Sequence, residues 1–205
     1  ELRLVGSEMC IRDSNKTNLT RLIDGDDYWI SQVFDSIWPF KTFQNINFDN
    51  KKFLDIGSGC GFPGLAYAIT HPTSEIYLVD SSKKKTDALK SIIKEINFKS
   101  NIHVINARVE NLAHQSSMRN SFDIATTRAV SNPSTVSEYI LPMLKKEGLG
   151  VLYCGKWTDL ESKNLEKTLE ILEGKFKEKK EILLPKYKGT SCLLYTSPSP
   201  RDAIP

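Results

Sequence analysis

Three closely spaced glycines follow an apolar segment whose last residues include an acid. The segment reads LDIGSGCGFPG, with Asp55 ahead of Gly57, Gly59 and Gly61. Glycine lets the backbone turn sharply after a strand and approach a bound molecule closely. Several nucleotide-binding folds use such a loop, but ordinary tight turns use it too. The loop alone is therefore a weak prediction of a binding site.

A second carboxylate strengthens this prediction. Asp80 ends the next apolar segment, EIYLVD, 23 residues beyond Gly57. A carboxylate at the end of a second strand can accept hydrogen bonds from both hydroxyls of a ribose. The glycine loop and Asp80 together predict a cofactor that contains a nucleoside, either a nicotinamide dinucleotide or S-adenosylmethionine.

The residues around the start of the next helix distinguish these two cofactors. A pyrophosphate-binding loop has the pattern GxGxxG and a free helix N-terminus. Here Pro63 removes one of the backbone N–H groups that would bind phosphate. Asp55 would repel a pyrophosphate, whereas it could receive the amino group of a sulfonium cofactor. These residues favour S-adenosylmethionine. A phosphate loop of the ATP-binding type is excluded because Gly155-Lys156-Trp157 lacks both the loop and the following hydroxyl residue.

Three more candidate residues follow later predicted strands. Val109 and Glu110 come after the third strand, where their backbone could read the edge of an adenine ring; a surface turn is the alternative. Arg128 ends the fourth strand beside the predicted cofactor, and a simple ion pair with a neighbouring carboxylate is the alternative there. Asn132-Pro133 resembles only faintly the motif of exocyclic-amine methyltransferases, so we give it no role.

These residues need a framework of alternating strands and helices. Strands are predicted over residues 51–57, 75–80, 101–106, 122–129, 148–153 and 179–184, and helices over 62–70, 83–96, 133–144 and 159–172. An earlier helix is expected to begin after Asp26 and Asp27 and to stop at Pro39. Such alternation predicts an α/β fold, a mostly parallel Rossmann-like sheet flanked by helices, as in class I S-adenosylmethionine-dependent methyltransferases. Ligands of such sheets bind at the carboxyl ends of the strands, where all the candidates fall.

Both ends of the chain differ in character from the rest. LVGSEMCIRDS (4–14) and CLLYTSPSPRDA (192–203) resemble translated sequencing adapters of the kind that contaminate proteins deduced from metagenome assemblies. Neither has a helical or strand period, so we leave both out of the predicted fold; genuine disordered tails are the alternative. We divide the chain into an adapter-like segment (1–14), a truncated N-terminal helical segment (15–50), a methyltransferase domain (51–191) and an adapter-like tail (192–205).

Composition limits the class of protein. The 205 residues, 40% hydrophobic and 26% charged, fit one soluble domain with a full core. No apolar run approaches the roughly 18 residues that cross a bilayer, and no secretory signal is recognisable. The four cysteines form no CxxC pair, which argues against a metal site and suits a reducing cytosol. We expect a cytoplasmic monomer without membrane contact, whose net charge of +3 permits a nucleic-acid partner.

The motifs taken together are similar to those of one family. LDIGSGCGFPGL, LVDSSKKK, ARVEN and FDIATTRAV resemble the bacterial small-subunit ribosomal RNA methyltransferase G family, also called the glucose-inhibited division protein B family. Upstream, NKTNLT (15–20) and VFDSI (33–37) resemble the segment before that domain. The resemblance covers nearly all of residues 15–191. It implies methyl transfer from S-adenosylmethionine to N7 of a guanine in 16S rRNA, at rRNA position 527, either in free rRNA or in the small ribosomal subunit.

The resemblance also implies particular contacts. Carried over residue by residue, it implies that the cofactor contacts Gly57, Phe62, Val109, Glu110 and Arg128. Gln32 stands where many members have a histidine, which leaves the role of that side chain open. Because guanine N7 has a free lone pair, we predict no catalytic acid or base, only positioning in which Arg128 takes part. The alternatives are a methyltransferase acting on a small molecule or protein, and an inactive nucleotide- or RNA-binding module.

Three consecutive lysines, Lys83 to Lys85, open the helix after Asp80. Cations at a helix N-terminus oppose the helix dipole, which favours a functional reason for them. Contact with rRNA phosphates is one interpretation, and a solvated helix face is the other. In either case we expect the ammonium groups to point away from the sheet.

Overall fold

The computed structural model describes residues 25–43, 46–96, 98–128, 132–155, 157–187 and 190–198. The adapter-like segment 1–14 and the start of the N-terminal helical segment lie outside these ranges. Within the described part of the chain, no helix is both long and apolar enough to cross a membrane.

The described residues form one sheet of seven strands, in the order β3-β2-β1-β4-β5-β7-β6. The strands are β1 (Lys52–Ile56), β2 (Glu75–Asp80), β3 (Asn101–Asn106), β4 (Phe122–Arg128), β5 (Leu144–Cys154), β6 (Gly174–Leu183) and β7 (Thr190–Pro198). The first five are parallel to one another, and β7 runs antiparallel between β5 and β6. The predicted Rossmann-like α/β class is confirmed. The chain reverses its direction of winding between β1 and β4, which is where such sheets bind ligands.

Helices cover both faces of this sheet. They are α1 (Gly25–Tyr28), a π-helical turn (Trp29–Phe34), α2 (Asp35–Thr42), α3 (Gly64–Thr70), α4 (Lys83–Ile96), α5 (Val109–Ala113), α6 (Pro133–Ile140) and α7 (Asp159–Ile171). The side chains of β1 alternate between two cores: Phe53 packs with α2 and α3, and Leu54 with α6 and α7. Burial on both faces is the usual condition of a parallel strand.

The N-terminal helix does not stop at Pro39, contrary to the prediction. It continues to Thr42, whose hydroxyl donates to the carbonyl of Trp38 at 2.7 Å, and the N–H of Phe43 donates to Pro39 O at 3.3 Å. A proline removes only its own donor, and the next residue, Phe40, is buried with its ring 4.9 Å from that of Tyr67. Burial of this ring holds the last turn in place.

The other long predicted elements differ mainly at their ends. The helix predicted over 133–144 ends at Ile140, and a 3-10 turn over Leu141–Met143 leads directly into β5. Proline at 142 has no N–H to continue an α-helical ladder. The late strand is longer than predicted, because β6 already begins at Gly174.

The tail, which we left out of the predicted fold, contributes most of the backbone of β7. Residues 190–198 pair with β5 from Gly150 to Cys154 and with β6 along its whole length. An open strand edge offers unpaired N–H and C=O groups to any extended segment that can reach it. The run LLYT contains residues that favour strands. The adapter origin of residues 192–205 stays a prediction.

Candidate cofactor-binding site

A cleft of about 310 Å³ opens at the carboxyl ends of β1, β2 and β4. Five of the residues predicted from the sequence line it: Gly57, Asp80, Val109, Glu110 and Arg128. The three other predicted residues, Asp55, Gly59 and Phe62, do not. The cleft also has walls that the sequence did not indicate, formed by Lys85 and by Thr135 and Tyr139 of α6.

The glycine loop is folded against the end of β2. The backbone N–H groups of Gly57 and Ser58 both donate to Val79 O, at 2.8 and 3.0 Å. Gly57 and Gly59 have φ angles of 70° and 55°, in the left-handed region that side chains rarely adopt. The glycines thus allow the turn that closes one side of the cleft, as predicted from their spacing.

The carboxylate of Asp80 is held in a fixed orientation on the cleft wall. Its Oδ2 accepts the N–H of Gly59 at 2.9 Å, and its Oδ1 accepts the N–H of Ser82 at 2.8 Å. The ammonium of Lys85 lies 3.9 Å from Oδ2. Each carboxylate oxygen can accept two hydrogen bonds, so acceptor positions remain for a ligand. Gly59, although outside the cleft, therefore contributes by orienting Asp80.

Asp55 lies inside the protein, whereas a contact with the cofactor was predicted. The residue is fully buried, with Oδ2 accepting the N–H of Gly64 at 2.9 Å and Oδ1 accepting the hydroxyl of Thr126 at 3.1 Å. Successive residues of a strand point to opposite faces, and it is the next residue, Ile56, that lines the cleft. Burial raises the pKa of Asp55 to about 7, although the bonds from Gly64 and Thr126 oppose this shift.

The bond from Gly64 to Asp55 also explains the choice of residue at 64. A Cβ there would lie 2.2 Å from Leu78 Cδ2 and 2.9 Å from Asp55 Oδ2. Only glycine fits between the strand and the first turn of α3. The N–H at this helix start is thus already bonded to a carboxylate, which agrees with the argument against a pyrophosphate.

Phe62 lies beneath the loop and not in the cleft. Its ring packs edge-on against Tyr28 of α1, with the centroids 5.9 Å apart, and the residue is 9% exposed. It therefore joins the glycine loop to the N-terminal helix. The contact that the family resemblance implied for Phe62 is not visible in the cleft lining.

Val109 and Glu110 form the first turn of α5, directly after Arg108 at its N-cap. Val109 is buried in the second core, while both residues contribute to the cleft. The first N–H groups of a helix have no acceptor within the helix. This backbone is thus suited to donate to the edge of a planar base, as the sequence suggested.

Arg128 combines the two interpretations that the sequence left open. It lines the cleft, and its Nη1 lies 3.5 Å from Asp35 Oδ2 in an ion pair. Nη1 also donates to Ser31 O at 3.1 Å, and Nη2 donates to Gln32 Oε1. All three partners come from the N-terminal helix, about 95 residues earlier in the chain. No local sequence pattern could have indicated them; only the placement of an acid on the buried side of that helix was a hint.

The three lysines of α4 have different surroundings. Lys83 is exposed and paired with Asp87 at 2.8 Å, and Lys84 is exposed as well. Lys85 is only half-exposed and lines the cleft beside Asp80. The expectation that all three point away from the sheet is therefore wrong for Lys85.

Comparison with known proteins places the chain among RNA-modifying enzymes. Residues 7–185 match the family described as rRNA small subunit methyltransferase G. A ribosomal RNA small subunit methyltransferase G from Prochlorococcus marinus strain MIT 9312 is 86% identical over 185 residues, covering 90% of this chain and 78% of the relative. Another, from strain NATL1A of the same species, is 42% identical over 177 residues, covering 86% and 71%.

A solved structure supports the same fold. The SAM-dependent O-methyltransferase from Thermotoga maritima superposes with a TM-score of 0.58 at 12% identity, covering 94% of this chain and 73% of that one. At this identity the likeness concerns the fold alone.

Proposed function

Because this chain belongs to the rRNA small subunit methyltransferase G family, we propose that it transfers the methyl group of S-adenosylmethionine to N7 of a guanine in 16S rRNA. Membership of the family establishes a ribosomal RNA methyltransferase that uses S-adenosylmethionine. The guanine, its N7 atom and rRNA position 527 are the proposal. The observation that carries it is the cleft at the switch point of the sheet, with an oriented carboxylate on one wall and a held guanidinium on another.

Asp80 is assigned to the ribose. Its two oxygens are oriented by the N–H groups of Gly59 and Ser82, which leaves acceptor positions directed to a pair of hydroxyls. The backbone of Val109 and Glu110 is assigned to the adenine, and the turn at Gly57 to close approach of the loop. Asp55 and Phe62 are assigned supporting roles, because both lie outside the cleft.

Arg128 is assigned to the carboxylate of the methionine part of the cofactor. A guanidinium recognises a carboxylate through two parallel N–H groups, a geometry that an ammonium does not match. A contact with guanine N7 would instead occupy the lone pair that must attack. When bound, S-adenosylmethionine supplies an electrophilic methyl group on a positively charged sulfur.

The chain needs no general base for this reaction. Guanine N7 carries a free lone pair at neutral pH, so no proton has to be removed before attack. The contribution of the protein is then positioning, which can lower a barrier by up to roughly 7–11 kcal/mol. No residue of the cleft is assigned to proton transfer.

The rRNA is proposed to approach over the start of α4. Lys84 and Lys85 stand there, and Arg108 lines the same cleft, which gives the rim a positive charge toward phosphates. The substrate is proposed to be rRNA of the small subunit, free or assembled, and the chain to act as a monomer. Its place of action would be the cytoplasm, where that RNA is found.

The experiment combines the purified chain with S-adenosylmethionine carrying a labelled methyl group and with 16S rRNA, or small subunits, that lack the modification. Mass mapping of ribonuclease fragments then locates the label. We expect one labelled guanine whose strand cleaves with aniline after borohydride reduction, as N7-methylated guanine does, and no label with Arg128→Gln. Label on an exocyclic amine or on ribosomal protein would replace the proposed target. Binding of S-adenosylhomocysteine without any transfer would identify an inactive module.

A further inference from the structure

The guanidinium of Arg128 is held by one short stretch of the N-terminal helix. Ser31 O and Asp35 Oδ2 both contact its Nη1, at 3.1 and 3.5 Å, and Gln32 Oε1 accepts from its Nη2. The side chain of Arg128 is 18% exposed and that of Asp35 is 12% exposed. Such a pair, largely removed from water, is screened less than one on the surface.

The π-helical turn explains why a main-chain carbonyl takes part. The N–H of Asp35 donates to Ile30 O and Gln32 O, and not to Ser31 O, which would be its acceptor in an α-helix. The N–H of Asp35 therefore does not occupy the carbonyl of Ser31, which accepts from Arg128. Single π-turns within helices occur frequently at functional sites.

Asp35 is itself fixed from the other side. Its Oδ1 lies 3.3 Å from the indole Nε1 of Trp38, a buried residue one turn later in α2. Its Oδ2 faces Arg128. The Asp35 carboxylate thus connects the buried Trp38 to Arg128 on the wall of the cleft.

The remaining donors of Arg128 point to a ligand. A guanidinium has five N–H groups, and the contacts with Ser31, Gln32 and Asp35 use three. Within the described ranges, Nε and the second hydrogen on Nη2 have no bond to the protein. Two neighbouring donors on one edge match the two oxygens of a carboxylate.

We propose that Asp35 and Gln32 are positioning residues, which hold the Arg128 guanidinium so that its free edge binds the carboxylate of the cofactor. The N-terminal helix is then part of the cofactor site, although none of its described residues lines the cleft. The inference rests on the proposed assignment of Arg128. A change at Asp35 should therefore weaken the binding of only those ligands that carry the carboxylate.

The test compares two ligands that differ in this group. S-adenosylhomocysteine has the amino-acid part, and 5′-methylthioadenosine lacks it while keeping the adenosine and the sulfur. Titration calorimetry measures both with the parent chain, Asp35→Asn and Gln32→Met. We expect each variant to bind S-adenosylhomocysteine about three- to thirty-fold more weakly. Binding of 5′-methylthioadenosine should change by less than about twofold, since that ligand has no carboxylate for Arg128 to bind.

The matched control is Asp123→Asn. Asp123 also forms an ion pair, with Lys145 at 2.8 Å, and it lies at the opposite end of β4 from Arg128. This variant should bind both ligands as the parent does. Equal weakening of both ligands by Asp35→Asn would show a purely structural role. Unchanged binding of both would show that Arg128 needs no positioning, and either result overturns the inference.

Arg128→Gln separates this inference from the assignment on which it depends. If Arg128 binds the carboxylate, the variant loses most of the preference for S-adenosylhomocysteine over 5′-methylthioadenosine. A preserved preference would refute the role of Arg128, and with it the inference. A lost preference in Arg128→Gln, together with parent-like Asp35→Asn and Gln32→Met, would refute the positioning role alone. Should Asp35→Asn fail to fold, Gln32→Met still decides the question, because it removes an uncharged acceptor.

Discussion

The carboxylate of Asp55 accepts the backbone N–H of Gly64 at 2.9 Å, and this bond joins the carboxyl end of β1 to the first turn of α3. The glycine loop is closed between these two anchors. Asp55, the acid before the glycines, therefore holds the loop from its buried side. Asp80, at the end of β2, offers its carboxylate oxygens to a ligand in the cleft. The two carboxylates have different roles because Asp55 is covered by Gly64 and Thr126, whereas Asp80 lies at the end of β2 on the cleft wall.

Asp80→Ala should weaken S-adenosylmethionine binding about ten- to hundred-fold. The change removes both acceptors for the ribose hydroxyls, and a hydrogen bond to a charged group is worth about 1.5–3 kcal/mol. Titration calorimetry measures the dissociation constant. Asp87→Ala is the control, since the Asp87 carboxylate pairs with Lys83 on the exposed surface of α4. Equal affinity in Asp80→Ala and the parent would rule out the ribose assignment.

Gly59→Val should abolish the rise in melting temperature that S-adenosylhomocysteine produces. The site has room for a side chain, because the nearest atom to an added Cβ is Gly57 O at 3.7 Å, but its φ of 55° disfavours a β-branched residue. The loop would relax and withdraw the N–H that orients Asp80.

Gly155→Val is the companion variant for this loop. No described atom lies within 4 Å of an added Cβ there, and the residue is not part of the cleft. Thermal shift assays with and without ligand compare the two variants. A normal ligand-induced shift in Gly59→Val would mean that the loop is a turn without a binding role.

The stability of the protein should depend on the charge of Asp55. The pKa of its buried carboxyl is raised from 3.8 to about 7, so between these values the folded state holds a proton that the unfolded state has released. The free energy of unfolding should therefore fall as the pH rises from about 4 to 7, by a few kcal/mol at most for this group.

Asp55→Asn isolates this effect. The amide has nearly the same shape and no charge to lose, so the variant should gain stability relative to the parent as the pH rises. Urea unfolding at a series of pH values from about 5 to 8 gives the difference at each pH. A difference that stays constant across this series would show that Asp55 keeps one protonation state throughout.

Neutralising Lys83 and Lys84 together should reduce the salt dependence of RNA binding. Each phosphate contact on single-stranded RNA contributes about 0.7 to the slope of log K against log salt, so the double Lys→Gln variant should lose up to about 1.4. Filter binding across a salt series measures this slope. Cofactor affinity should stay unchanged, because neither lysine lines the cleft. An unaltered slope would identify the two lysines as a solvated helix face.

Lys85→Gln should behave differently from that pair. Its ammonium lies 3.9 Å from Asp80 Oδ2 and lines the cleft, so its loss should alter S-adenosylhomocysteine binding as well as RNA binding. Calorimetry and filter binding on the same preparation separate the two effects. If only the RNA slope changes, the pair with Asp80 has no part in the cofactor site.

The sequence predicted those parts of the fold that depend on local pattern. The bounds of β2, β3 and α4 agree residue for residue with the prediction, since apolar alternation and helical spacing are strong there. The glycine loop and Asp80 were found for the same reason. The burial of Asp55 was missed, because the loop motif was interpreted by its chemistry and the first turn of α3, which covers this carboxylate, has no local signal in the sequence.

The surroundings of Arg128 could not be predicted in the same way. Its partners, Ser31 and Gln32, precede it by 97 and 96 positions, so the contact depends on how the N-terminal helix lies on the sheet. The register of that helix in turn depends on the π-helical turn, which no residue type predicts. The predicted helix end at Pro39 was wrong for a related reason, since burial of Phe40 outweighs the loss of one backbone N–H donor.

The position of β7 has a consequence for the integrity of this side of the sheet. Main-chain bonds define the pairing of β7 with β5 and β6, and within the described sheet β6 is joined to the other strands through β7. Loss of β7 would leave β6 without a paired neighbour in the described sheet and would expose the edge of β5. An extended strand offered by a second molecule could then pair with the same two strands.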